Sequence, residues 1–343
     1  MDSELNVIDI TPYLAMSGEC DEQLIALCCE VSYNLREKGA LLLKDPRCTL
    51  EDSDRFVAMV EKYFSSSLQF KLLHQRPQLH YQVGVTPEGI EVPRSLVDEE
   101  MKEKMQKMSE ENRPSAPLGA DLKWRYFWRP NSCSQSVIPE GFLEWEETMN
   151  SWGQKMMAAI EVVAEMAAIG YDLPKDSFTS LMKQGPHLLA PTGSDLEKYG
   201  KEGTVLAGYH YDLNFLTIHG RSNFPGLNVW LKNGKKIAAK VPFGCLLVQT
   251  GKQMEWLTGG ECMASMHELV VTNHTIEAIS EAQEQKRCLW RVSSTLFAHI
   301  ASHQILKPLG YFERSPLAIK YPPIIAGEYV EQELGVINVK ANN

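Results

Sequence analysis

The chain has 343 residues, 44% of them hydrophobic and 23% charged, a balance that excludes both a disulfide-stapled miniprotein and a disordered tail. Forty-four acidic residues against 34 basic ones leave a net charge of −10, the wrong sign for a surface that neutralises phosphates, so nucleic acid is not expected as a partner. The eight cysteines form no CxxC pair and the N-terminus carries acids where a secretory signal needs bases, so free thiols in the cytoplasm, with no membrane span, are the expectation.

In chain order, Val7 to Ile10 reads as a short strand, and apolar residues at helical spacing from Asp21 to Lys38 read as a helix stopped by Gly39. Ala40 to Leu43 is an apolar run that fits a buried strand, and a second helix is expected over Glu51 to Ser66. Residues 98 to 112 form helical sequence so highly charged that a solvated helix is expected, broken by the prolines after Arg113. A long helix is expected from about Gly141 to Ile169. From Gly185 onward the period changes to that of short strands, among them Thr204–Tyr211, Leu227–Leu231, Cys245–Gln249 and Met263–Val271. The pattern is α+β, with helices first and then a sandwich, barrel or jelly-roll core.

Sequences that cradle phosphates or build a nucleophile elbow are absent, and His267-Glu268 fails as a zincin motif because Val271 stands in place of the second histidine. His210 and Asp212 end a strand-like run, where residues two apart project from one face and set an imidazole beside a carboxylate. His267, inside another apolar strand, is a candidate third ligand. A two-histidine, one-carboxylate set leaves coordination positions open and suits non-haem Fe(II). Arg291 and Ser293 share one face of the run Cys288 to Phe297, and a guanidinium beside a hydroxyl suits a carboxylate.

His210-Tyr211-Asp212, His267 and Arg291-Val292-Ser293, in that order, resemble the HxD…H…RxS pattern of the 2-oxoglutarate and Fe(II)-dependent dioxygenases, in the isopenicillin N synthase-like branch. Gly226-Leu227-Asn228-Val229 is similar to a strand of that branch, as are residues 7–43 to its N-terminal region, so the resemblance runs from about residue 5 to 300. It implies a double-stranded β-helix, or jelly roll, over residues 121–310. Residues 1–120 would form an N-terminal helical and strand region, and 311–343 a C-terminal extension. Fe(II) would be held by His210, Asp212 and His267. Arg291 and Ser293 would bind the distal carboxylate of 2-oxoglutarate. The implied reaction uses O2 and releases succinate and CO2 while a small molecule is hydroxylated, desaturated or cyclised. Ascorbate as a reductant, an iron oxidase that does without 2-oxoglutarate, and a catalytically silent jelly-roll binding protein remain alternatives at this point.

The chain departs from the branch at four places. Leu188–Pro191 replaces a segment whose tyrosine contacts the cosubstrate, which leaves Tyr209 as a candidate hydroxyl; Glu268 follows the second histidine where arginine is common; Thr275 to Arg287 reads as an inserted helix; and Lys252 follows Gly251 in place of an acid. On the substrate side, an extended Lys123–Arg129 would put Arg125 and Arg129 on one face, suited to an acidic substrate, and Trp124, Tyr126 and Trp128 on the other. The remaining histidines, His219 and His299 among them, are expected to be structural or on the surface.

Overall fold

Alternate residues along the strands of the β-rich half have different fates, and that alternation organises the molecule. The computed structural model describes residues 5–18, 21–130 and 136–336, so Cys20 and Cys133 lie outside the described residues. The strands, in chain order, are β1 (Val7–Asp9), β2 (Ala40–Lys44), β3 (Gly84–Thr86), β4 (Trp124–Phe127), β5 (Leu188–Leu189), β6 (Thr192–Asp195), β7 (Val205–Tyr211) and β8 (Leu216–His219). They continue as β9 (Leu227–Trp230), β10 (Lys236–Ala238), β11 (Cys245–Thr250), β12 (Met266–Val270), β13 (Trp290–Ser293) and β14 (Thr295–Ala298), with a small pair β15 (Ile305–Leu306) and β16 (Ile324–Ile325).

A six-stranded sheet runs β1-β2-β11-β8-β14-β5, and two four-stranded sheets run β10-β9-β12-β7 and β13-β6-β4-β3. Only the β1–β2 pairing is parallel among these. Leu41 and Leu43 of β2, Leu246 and Val248 of β11, and Leu216 and Ile218 of β8 join the large core beneath the helices Glu22–Glu37 and Trp145–Gly170. Their neighbours Leu42 and Leu247 turn the other way and meet Val229 of β9, so the six-stranded sheet faces the β10-β9-β12-β7 sheet across a second apolar layer. This is the jelly-roll arrangement, with helices on its outer face. Where the inward positions cease to be apolar, the sheets enclose cavities instead of core.

The strands of the N-terminal region are part of these sheets, since β1 and β2 extend the six-stranded sheet and β3 pairs with β4. The two long helices cross closely: a Cβ on Gly170 would lie 2.3 Å from the Cys28 carbonyl oxygen, so only glycine fits. The helix expected from Glu51 spans Leu50–Phe64 and starts from a Thr49–Asp52 capping box. The expected inserted helix is Asn273–Glu284, capped by Thr272 and Thr275. The segment expected to be one solvated helix over 98–112 is a helix only over Glu99–Gln106, followed by a 3₁₀ turn, and it is not wholly solvated. Met101 is buried against Tyr209 and Trp230, and the Asn112 carbonyl accepts from Trp230 Nε1 at 2.6 Å; charge count alone hid this apolar stripe. Among the described residues no disulfide is formed, and no described helix is long and apolar enough to cross a membrane.

Candidate metal centre and adjoining cavities

Antiparallel pairing of β7 and β12 sets His210 directly opposite His267, with ring centroids 4.2 Å apart. Asp212 follows β7 at the next same-face position. Its two carboxylate oxygens lie 3.9 Å from His210 Nε2 and 3.8 Å from His267 Nε2, and the three candidate ligand atoms fall within 4.8 Å of one another. Each imidazole turns its Nδ1 to a backbone carbonyl two residues earlier: His210 to Gly208 O at 2.6 Å, His267 to Ser265 O at 3.4 Å. Nε2 of both rings is thereby left for a ligand role, and Asp212 Oδ2 accepts from Thr217 Oγ1 at 2.7 Å, which fixes its carboxylate. Burial and the neighbouring His267 hold the His210 imidazole well below its usual pKa, so the ring is in the neutral form that coordinates metals. Burial alone would raise Asp212, but His267 and His210 outweigh it and keep the carboxyl below its ordinary range.

Two cavities meet at this triad. The smaller, about 450 Å³, is walled by inward residues of several strands, including Thr192, His219, Arg291, Ser293 and Thr295. Arg291 and Ser293 project inward because Val292 between them enters the helix-side core. Arg291 is 5% exposed, its Nε donates to the Pro225 carbonyl at 3.3 Å, and among the described residues no carboxylate lies within ion-pair reach. Burial lowers its guanidinium to about 10. Ser293 Oγ and Thr192 Oγ1 share a hydrogen bond of 2.8 Å.

The larger cavity, about 770 Å³, lies on the other side of His210 and Asp212. The strand expected over Lys123–Arg129 alternates as anticipated: Trp124, Tyr126 and Trp128 are buried in the core, while Lys123, Arg125, Phe127 and Arg129 all line this cavity. Arg125 lines both cavities and is paired with Glu91 at 3.2 Å; Arg129 is exposed at the rim and has no carboxylate within ion-pair distance among the described residues. The far wall is the helix Ala326–Val336, whose Glu333 bonds Arg94 at 2.5 Å and accepts from the Tyr211 hydroxyl at 3.2 Å.

Tyr209 is not brought to the site. It occupies the opposite face of β7, is 4% exposed, packs edge-on against Trp230 at 4.7 Å and lines neither cavity. Glu268 likewise points away from the triad, fully buried between Lys236 Nζ at 2.8 Å and the Ser115 amide at 2.8 Å. Two histidines expected to be structural stand on cavity walls. His219, on β8, accepts or donates at Thr295 Oγ1 over 3.0 Å in the smaller cavity, and burial lowers it to about 4. His299 lines the larger cavity with a buried Nδ1 that has no hydrogen-bond partner among the described residues, and burial lowers it to about 3. For His219 the available signal was its place on the inward face of a strand, two residues after Thr217.

Residues 190–300 match the model of the 2OG-Fe(II) oxygenase superfamily. The match includes all three triad residues together with Arg291 and Ser293. Comparison with curated proteins finds no match. Among solved structures, a full-length Neurospora crassa protein crystallised in complex with alpha-KG superposes with a TM-score of 0.74 at 19% identity, covering 96% of each chain. JOX2 in complex with 2OG, Fe and JA gives 0.71 at 15% identity, covering 99% of this chain and 86% of that one. The Arabidopsis thaliana dioxygenase for auxin oxidation 1, as its 2-oxoglutarate complex, gives 0.62 at 16%, covering 90% and 97%. At these identities the likeness is one of fold.

Proposed function

We propose that the protein is an Fe(II)- and 2-oxoglutarate-dependent oxygenase that hydroxylates, desaturates or oxidatively cyclises a small molecule, with release of succinate and CO2. The observation that carries this reading is Arg291: a buried guanidinium without a carboxylate partner among the described residues, facing a cavity that ends on His210, Asp212 and His267. A desolvated cation of that kind calls for an anion, and the donor set beside it, two imidazole nitrogens and a carboxylate, suits Fe(II). His210, Asp212 and His267 would hold the metal, and Arg291 with Ser293 the distal carboxylate of 2-oxoglutarate. When bound, the metal and cosubstrate supply dioxygen activation and the oxidising equivalents. The chain itself orients the ligands through Gly208, Ser265 and Thr217, balances the cosubstrate's charge with Arg291, and shields the larger cavity with the helix Ala326–Val336.

The same reading gives the substrate an acidic group. Of the three cations on the inner face of residues 123–129, Lys123 and Arg125 are already paired with Asp121 and Glu91, which leaves Arg129 at the rim to meet a carboxylate. The cytoplasm, where free thiols stay reduced, is the setting that goes with it. The test is anaerobic titration of the purified protein with Fe(II) and 2-oxoglutarate. A weak visible charge-transfer band is expected, and absence of both the band and any succinate release would overturn the proposal.

A further inference from the structure

β7 carries an irregularity beside its metal-ligand candidate. The register with β12 passes from His210 opposite His267 to Ala207 opposite Leu269, so Gly208 and Tyr209 together face the single residue Glu268. Such a bulge bends the strand, re-aims the adjacent side chain and removes an amide from the ladder. The amide in question is that of Gly208, and Asp121 Oδ1 accepts from it at 2.9 Å. The carbonyl of the same residue is the partner of His210 Nδ1 at 2.6 Å. Position 208 has no room for a side chain, because a Cβ there would lie 2.5 Å from Pro93 Cβ.

Asp121 is itself held. Its other oxygen pairs with Lys123 Nζ, Lys123 also reaches Glu91 at 2.9 Å, and Glu91 reaches Arg125 at 3.2 Å. The Leu122 amide between them donates to the Leu206 carbonyl at 3.0 Å, which ties the segment to β7 just before the bulge. Asp121 and Lys123 are 6% and 5% exposed. A buried ion pair is weak support for stability, since both ions must be desolvated, so a positional use is the better account of this one.

Resting on the metal-site reading above, we infer that Asp121 is a positioning residue: it clamps the β7 bulge through the Gly208 amide and so fixes the direction in which His210 presents Nε2. His267 makes a longer contact, 3.4 Å to Ser265 O, and the Ser265 amide is held by a backbone carbonyl, that of Thr250 at 2.9 Å, rather than by a carboxylate.

The experiment is Co(II) binding to the metal-free full chain, read by affinity and by the ligand-field spectrum, for the parent, Asp121→Ala and Asp121→Asn. Outer-shell partners of metal ligands are typically worth about 10- to 100-fold in metal affinity, and Asp121→Ala should lose that much and alter the band pattern. Asp121→Asn keeps an acceptor oxygen for the Gly208 amide and should stay within about threefold of the parent, far from the loss expected when an outer partner of a ligand is removed. Asp45→Ala, which removes a buried carboxylate paired with Arg47 at 2.6 Å, should leave both readouts unchanged. Equal losses in the alanine and asparagine variants, or a parental spectrum in Asp121→Ala, would overturn the inference. If Asp121→Ala does not fold, hydrogen exchange of the Gly208 amide in the parent decides: protection is expected, and fast exchange refutes the clamp. A parent that binds no Co(II) would instead refute the metal-site reading.

Discussion

Replacing Arg291 by methionine should move two quantities in opposite directions. In the protein alone, burial with no carboxylate partner among the described residues lowers the guanidinium from its ordinary value to about 10. That difference corresponds to about 3 kcal/mol held against the charged form. Because the folded pKa is depressed, the penalty is fully present at every pH below about 10 and fades only as pH rises from there toward the ordinary guanidinium value. Arg291→Met fills similar volume without a charge; it forfeits the 3.3 Å bond to Pro225 O, so the apo protein should gain about 1–2 kcal/mol in stability. In the complex, the distal carboxylate would lose its buried partner at a cost of about 2–5 kcal/mol, or about 30- to 5,000-fold in affinity. Denaturant unfolding of the metal-free protein measures the first effect and anaerobic calorimetry with 2-oxoglutarate the second. An unchanged 2-oxoglutarate affinity, or an apo variant destabilised by more than about 1 kcal/mol, would refute the argument, the latter by revealing an internal partner for the charge.

His210→Ala and Asp212→Ala should each abolish iron retention with the circular dichroism spectrum intact; parental iron content in both would remove the triad assignment. Tyr209→Phe should leave 2-oxoglutarate affinity unchanged within experimental error, because the ring lies against Trp230 on the far face of β7, and a tenfold loss would contradict that placement. Arg129→Gln should raise KM for apolar carboxylic acids more than for the matching amides in a succinate-release screen, whereas equal effects would argue against an acidic substrate. Burial lowers Lys71 from 10.5 to about 8, so the charged form is disfavoured on folding below pH 8 and the penalty is relieved as pH rises from there to 10.5. The parent should therefore gain stability relative to Lys71→Met over that interval, and parallel stability profiles would exclude the effect.

Two-residue periodicity made the site legible wherever the strands are regular. It predicted that His210 and Asp212 project together, that Arg291 and Ser293 share a face, and that Arg125 and Arg129 lie opposite Trp124, Tyr126 and Trp128; the structure has all three arrangements. It failed at Tyr209, for although neighbours on a strand always diverge, nothing local says which of the two enters the cavity. The β7 bulge, and with it the link from Asp121 to His210, depends on pairing with β12 and with the loop before β4, partners distant in sequence. His299 was opaque for the same reason: a lone histidine after a short strand becomes a cavity wall only once the helix Ala326–Val336 closes the other side. Charge density misled over residues 98–112, where a few methionines outweigh many acids and lysines in deciding which face is buried.

The two cavities touch the same pair of ligand residues yet share few other walls, chiefly Lys123, Arg125 and Phe297. Most positions around the larger chamber, including Val330 and Leu334 on the closing helix and Leu188 on β5, are therefore absent from the lining of the smaller one. If the smaller cavity takes the cosubstrate as proposed, drift at those positions would try new substrates while the cosubstrate half stays as it is. The layout separates what can vary from what cannot, and it makes the segment from 325 to 334 the natural place to randomise when a different specificity is sought.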